Sequence, residues 1–448
     1  MANLTPREIL DRVRDLAQRS GAAEAEAYLE IVNFTEARVR QGEVEFLSQS
    51  AVQGLGVRVF VDRKVGFSYT TDLRPNVMDE LVRRTIALAG QNAPRDENRL
   101  PDEQLPALPD LEIYDAAVAA MRPADLIALA RKTEDQAFAA DKRIQATRHA
   151  HAGVAVGEVH FTNTFAPYQT YRTTTCSLGV TAIATDGTVK REGGFDDRRR
   201  IFLDLNTPER IGRRAAERAA ARLGGATIAT TNAPVIFEAD AAASFLAGLL
   251  PALNATNVIE QRSFLAGKPN RQVASPLVTI VDDGLLRRGL GTHPFDGEGV
   301  QHRRTVVIER GVLVKFLHTA TTARRMNVRM TGNAVRSYDT LPAVGPTNFY
   351  LQAGASTLDK MVSETPRGLL VTELAGFGID TVSGEYSQQV AGRWIEKGVL
   401  GASVEGVTVA GRLDEMLLGI DAVGKDLEYR SAIASPSIRF RQLTIAGS

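Results

Sequence analysis

Two stretches in the first half of the chain pass from helical spacing to the two-residue alternation of β-strands, in the same order. The first opens at Thr5-Pro6-Arg7-Glu8, where an N-cap threonine, a proline at the first helical position and a glutamate at the third predict a helix that ends at Ser20-Gly21. Alternation from about residue 27 to 71, with turns at Gln41-Gly42 and at 62–64, predicts antiparallel strands. A helix over about 75–88 completes the stretch.

The second stretch repeats this order with a helix over 123–140, strands from 144 to about 205, and a helix opened by Thr207. Similar sequences occupy the same place in each stretch, namely Gly56-Val57-Arg58-Val59-Phe60 with Gly179-Val180-Thr181-Ala182-Ile183, and Val65-Gly66-Phe67 with Gly193-Gly194-Phe195. The pattern indicates an internal duplication. Two unrelated α+β units are the alternative.

Two breaks divide the chain, and the region after the second break has a different character. Residues 93–110 are rich in Pro, Asp and Glu without periodicity, which predicts a linker, and Gly224-Gly225 closes the second stretch. Hairpins are expected over 305–317 and 393–409, with short helices near 319–326 and 413–420. We therefore predict an α+β protein with an N-terminal domain (1–92), a linker (93–110), a central domain (111–228) and a strand-rich C-terminal domain (229–448).

Composition excludes several classes of protein. The 448 residues include 53 Lys or Arg and 53 Asp or Glu, so no overall field attracts nucleic acid or anionic lipid. A single cysteine, Cys176, excludes an internal disulfide framework and fits a reducing compartment. Charged residues interrupt the N-terminus, and no apolar run approaches the roughly 18 residues of a membrane span. We expect a soluble cytoplasmic protein without nucleic-acid or membrane partners.

The sequence contains no complete nucleotide-binding or α/β-hydrolase motif. The segment 419–425 has P-loop spacing, but Asp426 stands where Ser or Thr must hold magnesium, and Gly424 is interpreted instead as a helix cap. No Gly-x-Gly-x-x-Gly follows a strand, and no Gly-x-Ser-x-Gly occurs. Neither class of chemistry is supported.

Histidines and arginines form two further clusters. His149 and His151 share one face of a strand near His160, which permits a metal site, although outward-facing polar residues are the simpler interpretation. The residues 198–200 and the arginines of the following helix form the basic cluster. Nearby acids, Asp196, Asp197, Glu209 and Glu217, favour a solvated, salt-bridged face over a nucleic-acid surface.

Acidic residues also concentrate beside glycine, at Asp282-Asp283-Gly284 and at Phe295-Asp296-Gly297-Glu298-Gly299. Such carboxylates can hold a hard cation or a basic substrate group. Turns use the same residue types, and no third ligand accompanies either group. Taken alone, the two segments are interpreted as turns.

The ordered set of motifs in the C-terminal half nevertheless resembles the TldD/TldE (PmbA) family, and the N-terminal repeats resemble that family's first two domains. The set comprises Ser263-Phe264-Leu265-Ala266-Gly267, Asp282-Asp283, Pro294-Phe295-Asp296-Gly297-Glu298-Gly299-Val300, Thr331-Gly332-Asn333, Gly368-Leu369-Leu370-Val371-Thr372-Glu373-Leu374, Ser383-Gly384-Glu385-Tyr386-Ser387 and Val423-Gly424-Lys425-Asp426.

The resemblance implies two branches that pair with each other. The TldD-like branch carries a helical His-Glu-x-x-x-His motif and a late cysteine that bind zinc, with the Glu as general base. Counting back from Ser263 places that motif at about 246–251, where this chain has Leu-Ala-Gly-Leu-Leu-Pro. No histidine lies between His160 and His293, and no cysteine follows Cys176. The chain therefore resembles the metal-free TldE branch, without catalytic residues or a cofactor of its own.

A zinc-bearing TldD-like partner and unfolded peptide substrates follow from the resemblance, with the two subunits enclosing a chamber where strand edges bind extended peptide. Candidate residues for chamber shape or assembly, not proton transfer, are Asp296, Glu298, Thr331, Asn333 and Glu373. One alternative is a regulatory protein-binding module of the gyrase-modulator type. Another is a self-sufficient hydrolase that uses Asp296, Glu298 and His293 or His302 around a different metal.

Overall fold

The computed structural model describes residues 4–101, 110–166, 168–376 and 378–447. The first half contains the helices α1 (Pro6–Arg19), α2 (Pro75–Gln91), α3 (Ala116–Ala119), α4 (Pro123–Ala140) and α5 (Pro208–Ala221). Its strands are β1 (Glu24–Arg40), β2 (Glu43–Val61), β3 (Lys64–Thr70), β4 (Ile144–Asn163), β5 (Gln169–Thr185) and β6 (Lys190–Arg199), followed by a 3₁₀ turn over Phe202–Asp204. Helix α1 begins as predicted, because Thr5 and Glu8 form a reciprocal capping box.

The six strands form one antiparallel sheet in the order β3-β2-β1-β4-β5-β6. Each half of the sheet comes from one α-β-β-β-α unit, and β1 pairs with β4 where the two halves meet. Asn33 pairs with Val156, and these two residues are as far apart in sequence as Gly56 and Gly179. The sheet thus has a pseudo-two-fold axis at this pair, which supports the predicted duplication.

Equivalent glycines mark the third strand of each unit. Gly66 pairs with Val59 and Gly193 pairs with Ala182, so the structural equivalent of Gly66 is Gly193, one residue away from the Gly194 that the sequence comparison predicts. A Cβ on Gly66 would lie 2.1 Å from the carbonyl oxygen of Thr85 in α2, and one on Gly193 would lie 2.1 Å from a backbone nitrogen in α5. In both units the second helix therefore packs directly on a strand that has no side chain at this point.

We expect Gly66→Ala to lower the free energy of unfolding by about 2–3 kcal/mol, because the helix backbone must move to accommodate a methyl group. Gly193→Ala should have a similar effect in the second unit. Gly90→Ala in α2 is the matched control, because nothing lies within 4 Å of its Cβ position. Urea denaturation provides the measurement, and equal stability of the Gly66 and Gly90 variants would contradict the close packing.

All four long helices lie on one face of the sheet. Ala27 and Leu29 pack with α1 and α2, and Ala37, on the same face of β1, packs in the cluster that contains α4 and α5. The C-terminal domain covers only part of the opposite face. Its end near Glu26 and Tyr28 contacts the C-terminal domain, and the rest of it carries no helix among the described residues.

The second half begins with β7 (Thr231–Phe237) and α6 (Ala239–Leu253) and is rich in strands, which confirms the predicted α+β class. Its other helices are α7 (Ala255–Ile259), α8 (Ala320–Met326), α9 (Leu358–Ser363) and α10 (Leu413–Leu418). Its other strands are β8 (Ile280–Asp283), β9 (Arg304–Glu309), β10 (Val312–Leu313), β11 (Ala334–Val335), β12 (Ala343–Val344), β13 (Phe349–Leu351), β14 (Arg367–Ala375), β15 (Glu385–Glu396), β16 (Val399–Arg412), β17 (Ile420–Val423), β18 (Ile433–Ala434) and β19 (Ile438–Ala446).

The main C-terminal sheet has the order β16-β15-β14-β7-β19-β17, and further pairing of β16 with β19 closes it into a barrel-like structure around the apolar residues of α6. Both predicted hairpins are present, as β9–β10 and β15–β16. A second sheet, β10-β9-β8-β13-β18, and the short β11–β12 pair lie beside it. Gly424 follows β17 and caps no helix, so that interpretation was wrong; Gly419 ends α10 instead.

The predicted linker over 93–110 lies partly outside the described residues, because 102–109 are not described. The limits of the three predicted domains stay predictions, although one continuous sheet joins the first two. Within the described residues, each helix is too short or too polar to cross a lipid bilayer.

Candidate functional site

Helix α6 is the element on which the resemblance places the missing zinc motif. Phe245, Leu246 and Leu249 are buried in the C-terminal core. Gly248 faces Ile379, whose Cδ1 atom would lie 2.1 Å from a Cβ at that position. Apolar contacts thus occupy two sides of the helix.

The remaining side of α6 borders a cavity of about 290 Å³. Its lining comprises Ala247, Leu250, Pro251, Asn254, Asn257, Leu317, Val344, Gly345 and Pro346. None of these side chains titrates, and the two asparagines supply only amide groups. Pro251 has no N–H, so it cannot donate the usual helical hydrogen bond to the carbonyl of Ala247. The amide groups of both asparagines already bond to protein groups. The side chains of the cavity therefore supply no general base and no zinc ligand.

Asp296 organises the loop that contains its own motif. One carboxylate oxygen accepts hydrogen bonds from the backbone N–H groups of Glu298 and Val300 at 2.8 and 3.0 Å, and the other accepts from Ala334 at 3.0 Å. Burial, followed by the charge of Glu298, raises the pKa of Asp296. Gly299 closes the loop with φ of 76°. The turn interpretation is correct for this segment, and both carboxylate oxygens of Asp296 accept hydrogen bonds from backbone N–H groups.

Glu298 joins the two halves of the molecule. Its Oε1 accepts from the guanidinium of Arg58 at 3.1 and 3.2 Å, and its Oε2 accepts from the N–H of Ala320 at the first turn of α8. Arg58 also pairs with Glu26 at 2.8 Å, and Glu26 pairs in turn with Arg336. We call Glu26, Arg58, Glu298 and Arg336 the junction cluster. All four are buried, and two positive charges balance two negative ones.

Thr331 and Asn333 support the loop next to the junction cluster. The Thr331 hydroxyl accepts from the N–H of His318 at 2.8 Å and donates to its carbonyl at 3.2 Å. Asn333 donates to Asp282 at 2.7 Å and to the carbonyl of Gly345. Gly345 also lines the α6 cavity. Burial raises the pKa of Asp282 to about 6. Asp282 belongs to β8 and not to a turn, so the turn interpretation was wrong for this residue.

The two histidines of the self-sufficient hydrolase hypothesis are engaged elsewhere. The Nδ1 of His302 lies 2.7 Å from the carbonyl oxygen of Gly332, and burial lowers its pKa to about 4. His293 lies 3.3 Å from Arg200 and packs against the ring of Tyr171. In the described part of the chain, no three His, Cys, Asp or Glu side chains meet in a group that could hold a metal ion.

Glu373 belongs to a large cleft between α5 and the C-terminal domain, with a volume of about 1220 Å³. We call it the α5 cleft. Every fourth residue from 210 to 222, which runs from the first turn of α5 to its C-terminal cap, is an arginine that reaches across it. The pairs are Arg210–Glu428, Arg214–Glu238, Arg218–Asp240, and Arg222 with both Glu373 and Glu405. The Arg222–Glu373 pair is 2.8 Å long. Glu373 is thus part of an ionic contact between domains.

These contacts confirm the salt-bridged face predicted for the basic cluster, because Asp197 pairs with Arg199 and Glu217 with Arg214. Glu209 pairs instead with Lys132, and most of the other acids come from the C-terminal domain. Arg200 is buried and faces no solvent.

The three histidines of the first half lie on β4. The ring centroids of His149 and His151 are 6.0 Å apart, and the Nδ1 of His160 lies 2.6 Å from the Tyr168 hydroxyl.

Family models match the chain in sequence order. They describe PmbA/TldA metallopeptidase domain 1, the central domain and the C-terminal domain, and they match residues 25–89, 117–223 and 230–447. The matched segments fall on the two α-β-β-β-α units and on the strand-rich domain. The fold is thus that of a three-domain metallopeptidase.

Full-length relatives agree. The chain is 32% identical to metalloprotease PmbA of Escherichia coli O157:H7, over 91% of this chain and 89% of that protein. It is 30% identical to the PmbA homolog of Haemophilus influenzae, over 97% of this chain and 94% of that protein. The chain belongs to the PmbA/TldD family, which confirms the resemblance inferred from the ordered motifs.

Solved structures show the same architecture. A Thermotoga maritima protein, solved as a candidate modulator of a DNA gyrase, is 28% identical with a TM-score of 0.89, covering 99% of this chain and 100% of that one. TldE from Thermococcus kodakarensis, at 23% identity, shares the fold with a TM-score of 0.89 over 98% and 99% of the two chains.

Proposed function

We propose that this chain is the non-catalytic subunit of a heterodimeric TldD/TldE-type zinc metalloprotease that cleaves unfolded peptides in the cytoplasm. The observation that carries the proposal is the chemistry of α6. Zinc hydrolysis needs imidazole or thiolate ligands and a carboxylate that takes a proton from water. Residues 246–251 supply only apolar and glycine side chains beside a non-titrating cavity. Zinc is therefore expected in a TldD-like partner.

Similarity to the other branch supports a partner of the same fold. The TldD homolog of Haemophilus influenzae is 31% identical over 205 residues, which is 42% of each chain. Related subunits usually pair about a two-fold or pseudo-two-fold axis, and obligate interfaces bury roughly 2,000 Å² or more. A chain that keeps the fold without ligand chemistry then serves as a wall of the chamber around the partner's zinc.

Contacts between the N-terminal sheet and the C-terminal domain explain how such a wall keeps its shape. The junction cluster and the α5 cleft fix the N-terminal sheet against the C-terminal domain through charge pairs at two separate places. Asp296, Thr331 and Asn333 hold the loops between them. On this proposal these residues position surfaces for an extended peptide and transfer no proton.

The test mixes this chain with a TldD-like homologue from the same organism. We expect a stable heterodimer that cleaves an unstructured peptide, while either chain alone cleaves it poorly. Chelation of zinc, or replacement of the partner's motif Glu by Gln, should abolish cleavage. Elemental analysis of this chain alone should find no stoichiometric zinc.

Leu250→Met, a volume-conserving change at the α6 cavity, is the matched control and should leave the partner's zinc chemistry intact. Full activity of the partner alone, or no association at micromolar concentration, would overturn the proposal. Tight zinc that is lost on His302→Ala would support the self-sufficient hydrolase instead. Capture of gyrase in the absence of a TldD-like protein would support the regulatory module.

A further inference from the structure

One face of α6 borders open space from the first turn of the helix to the last. Asp240, Ser244, Ala247 and Pro251 recur on this face at helical spacing. The first three line the α5 cleft and the last two line the α6 cavity, so the two spaces meet at Ala247. We call this face, with the cleft and the cavity beside it, the α6 groove. At about 1.5 Å per helical residue, it is about 16 Å long from Asp240 to Pro251.

The end of the α6 groove at the cavity is apolar and contains one free acceptor. Leu317 and Val344 form its walls together with Pro251, and no charged side chain among the described residues lines it. A cavity of about 150 Å³ can already hold a benzene ring, so about 290 Å³ accommodates a large apolar side chain. Because Pro251 has no N–H, the carbonyl of Ala247 lacks its usual helical partner and can accept an N–H from a ligand.

The other end of the α6 groove is acidic. Eight carboxylates and six arginines among the described residues line the α5 cleft, which leaves an excess of two negative charges. Within the described ranges, neither Asp196 nor Asp426 forms an ion pair with a lysine or an arginine. The Asp426 carboxylate accepts from the N–H and the hydroxyl of Ser437 at 3.0 and 2.6 Å. Carboxylates without a basic partner attract a cationic side chain.

Both of these acids lie near the first turn of α6. The carbonyl of Asp196 accepts from Arg430 at 3.5 Å, and Arg430 pairs with Asp240. Asp426 binds the residue that precedes β19, and β19 pairs with Phe237 just before α6 begins. The acidic end and the apolar end are therefore separated by about the length of the groove.

A buried hydroxyl in the α5 cleft also lacks a partner. Ser403 lines the cleft and is 7% exposed, and its Oγ makes no hydrogen bond in the part of the chain that the structure describes. A buried polar group of this kind is unfavourable unless a ligand or a water molecule satisfies it. The backbone of a peptide offers both donors and acceptors for such a group.

We propose that the α6 groove binds an extended peptide that carries a lysine or an arginine and, about five residues away, a large apolar residue. An extended chain spans about 3.3 Å per residue, so about five residues cover the distance between the two ends. The basic side chain meets Asp196 and Asp426, and the apolar side chain enters the cavity beside Ala247. This inference rests on the proposed function, because it names the class of peptide that the heterodimer takes.

Binding of a labelled peptide to the purified full-length chain alone tests the proposal, with fluorescence anisotropy as the measurement. The probe is a short Gly/Ser peptide with one lysine and, about five residues away, one leucine, made in both orders. We expect one of the two orders to bind at submillimolar concentration. Replacing its leucine by serine should weaken binding at least about tenfold, because the buried apolar group is lost. Replacing its lysine by glutamate should have a similar effect.

Two variants of the chain locate the bound peptide. Ala247→Leu fills the cavity and should weaken binding of the lysine–leucine probe about tenfold. Asp196→Lys should weaken binding of that probe and strengthen binding of the glutamate probe, because it reverses the charge that the peptide meets. Ala139→Leu and Asp135→Lys are the matched controls, because both residues are exposed on α4 and lie outside the groove. Both controls should bind the probe as the wild-type chain does.

Three results would overturn the proposal. They are failure of both orders to bind at millimolar concentration, equal binding of the leucine and serine probes, and wild-type binding by a folded Ala247→Leu chain. Asp196→Lys that leaves the preference for lysine unchanged would overturn the acidic end of the groove. No zinc-bearing partner and no cleavage enter these measurements, so failure of the heterodimer to form or to cleave peptide is a separate result.

Discussion

Replacement of Glu298 by alanine is expected to lower the free energy of unfolding by about 3–5 kcal/mol, because it leaves the buried charge of Arg58 with only part of its compensation. Glu26 alone would then balance both Arg58 and Arg336. The N–H of Ala320 at the start of α8 would lose its acceptor as well. Urea denaturation measures the loss, and hydrogen exchange should show faster opening where the N-terminal sheet meets α8.

The matched control is Glu309→Ala, an exposed glutamate at the end of β9, which should change stability by less than about 0.5 kcal/mol. Glu298→Gln should cost less than Glu298→Ala, because it keeps an acceptor for Ala320. If Glu298→Gln left assembly with the partner intact yet abolished peptide cleavage, the positioning role would be wrong and a chemical role would replace it.

Arg200→Lys is expected to cost about 2–4 kcal/mol, because one ammonium group cannot reach the several carbonyls that the planar guanidinium binds. Arg200 donates to the carbonyls of Gly289 at 3.2 Å and Thr174 at 3.4 Å, and also to that of Leu290. Burial lowers its pKa to about 10. These contacts connect the end of β6 with the loop before His293, so thermal unfolding should report a destabilised junction.

Arg198→Lys provides the control, because Arg198 lies two residues away and is exposed. It should be nearly neutral. Equal stability of the two variants would show that the buried guanidinium contributes little beyond what an ammonium supplies.

Local elements followed from the sequence because their signals are local. The capping box at Thr5 and Glu8 and the turn at Gln41-Gly42 each lie within a few residues. The sequence motif also singled out Glu298, but it did not indicate which residues Glu298 contacts. Arg58 is 240 residues away in the chain, and nothing in its strand distinguishes it from an outward-facing arginine. Long-range charge pairing depends on how the sheet docks, which no local pattern encodes.

Arg200 was predicted to be exposed and is buried, which again reflects contacts between distant parts of the chain. Three consecutive arginines at 198–200 suggested one solvated cluster. Strand alternation alone would point Arg198 and Arg200 the same way, but β6 ends at Arg199 and the bend after it turns Arg200 inward while Arg198 stays exposed. The α5 arginines were correctly expected to be paired. Their acids lie in another domain, so the sequence indicated ion pairs without indicating the cleft.

The seam between β1 and β4 has a consequence for the ancestry of the fold. Fourteen residue pairs, from Glu26 to Val39, join the first strand of one unit to the first strand of the other. A gene that encoded a single unit would have left that strand bare, and two such products would have met along it as a homodimer. Fusion of two copies made the meeting intramolecular. The two halves now differ in their contacts: Glu26 and Arg58 of the first unit belong to the junction cluster, whereas the second unit has His149 and Thr181 at the equivalent positions.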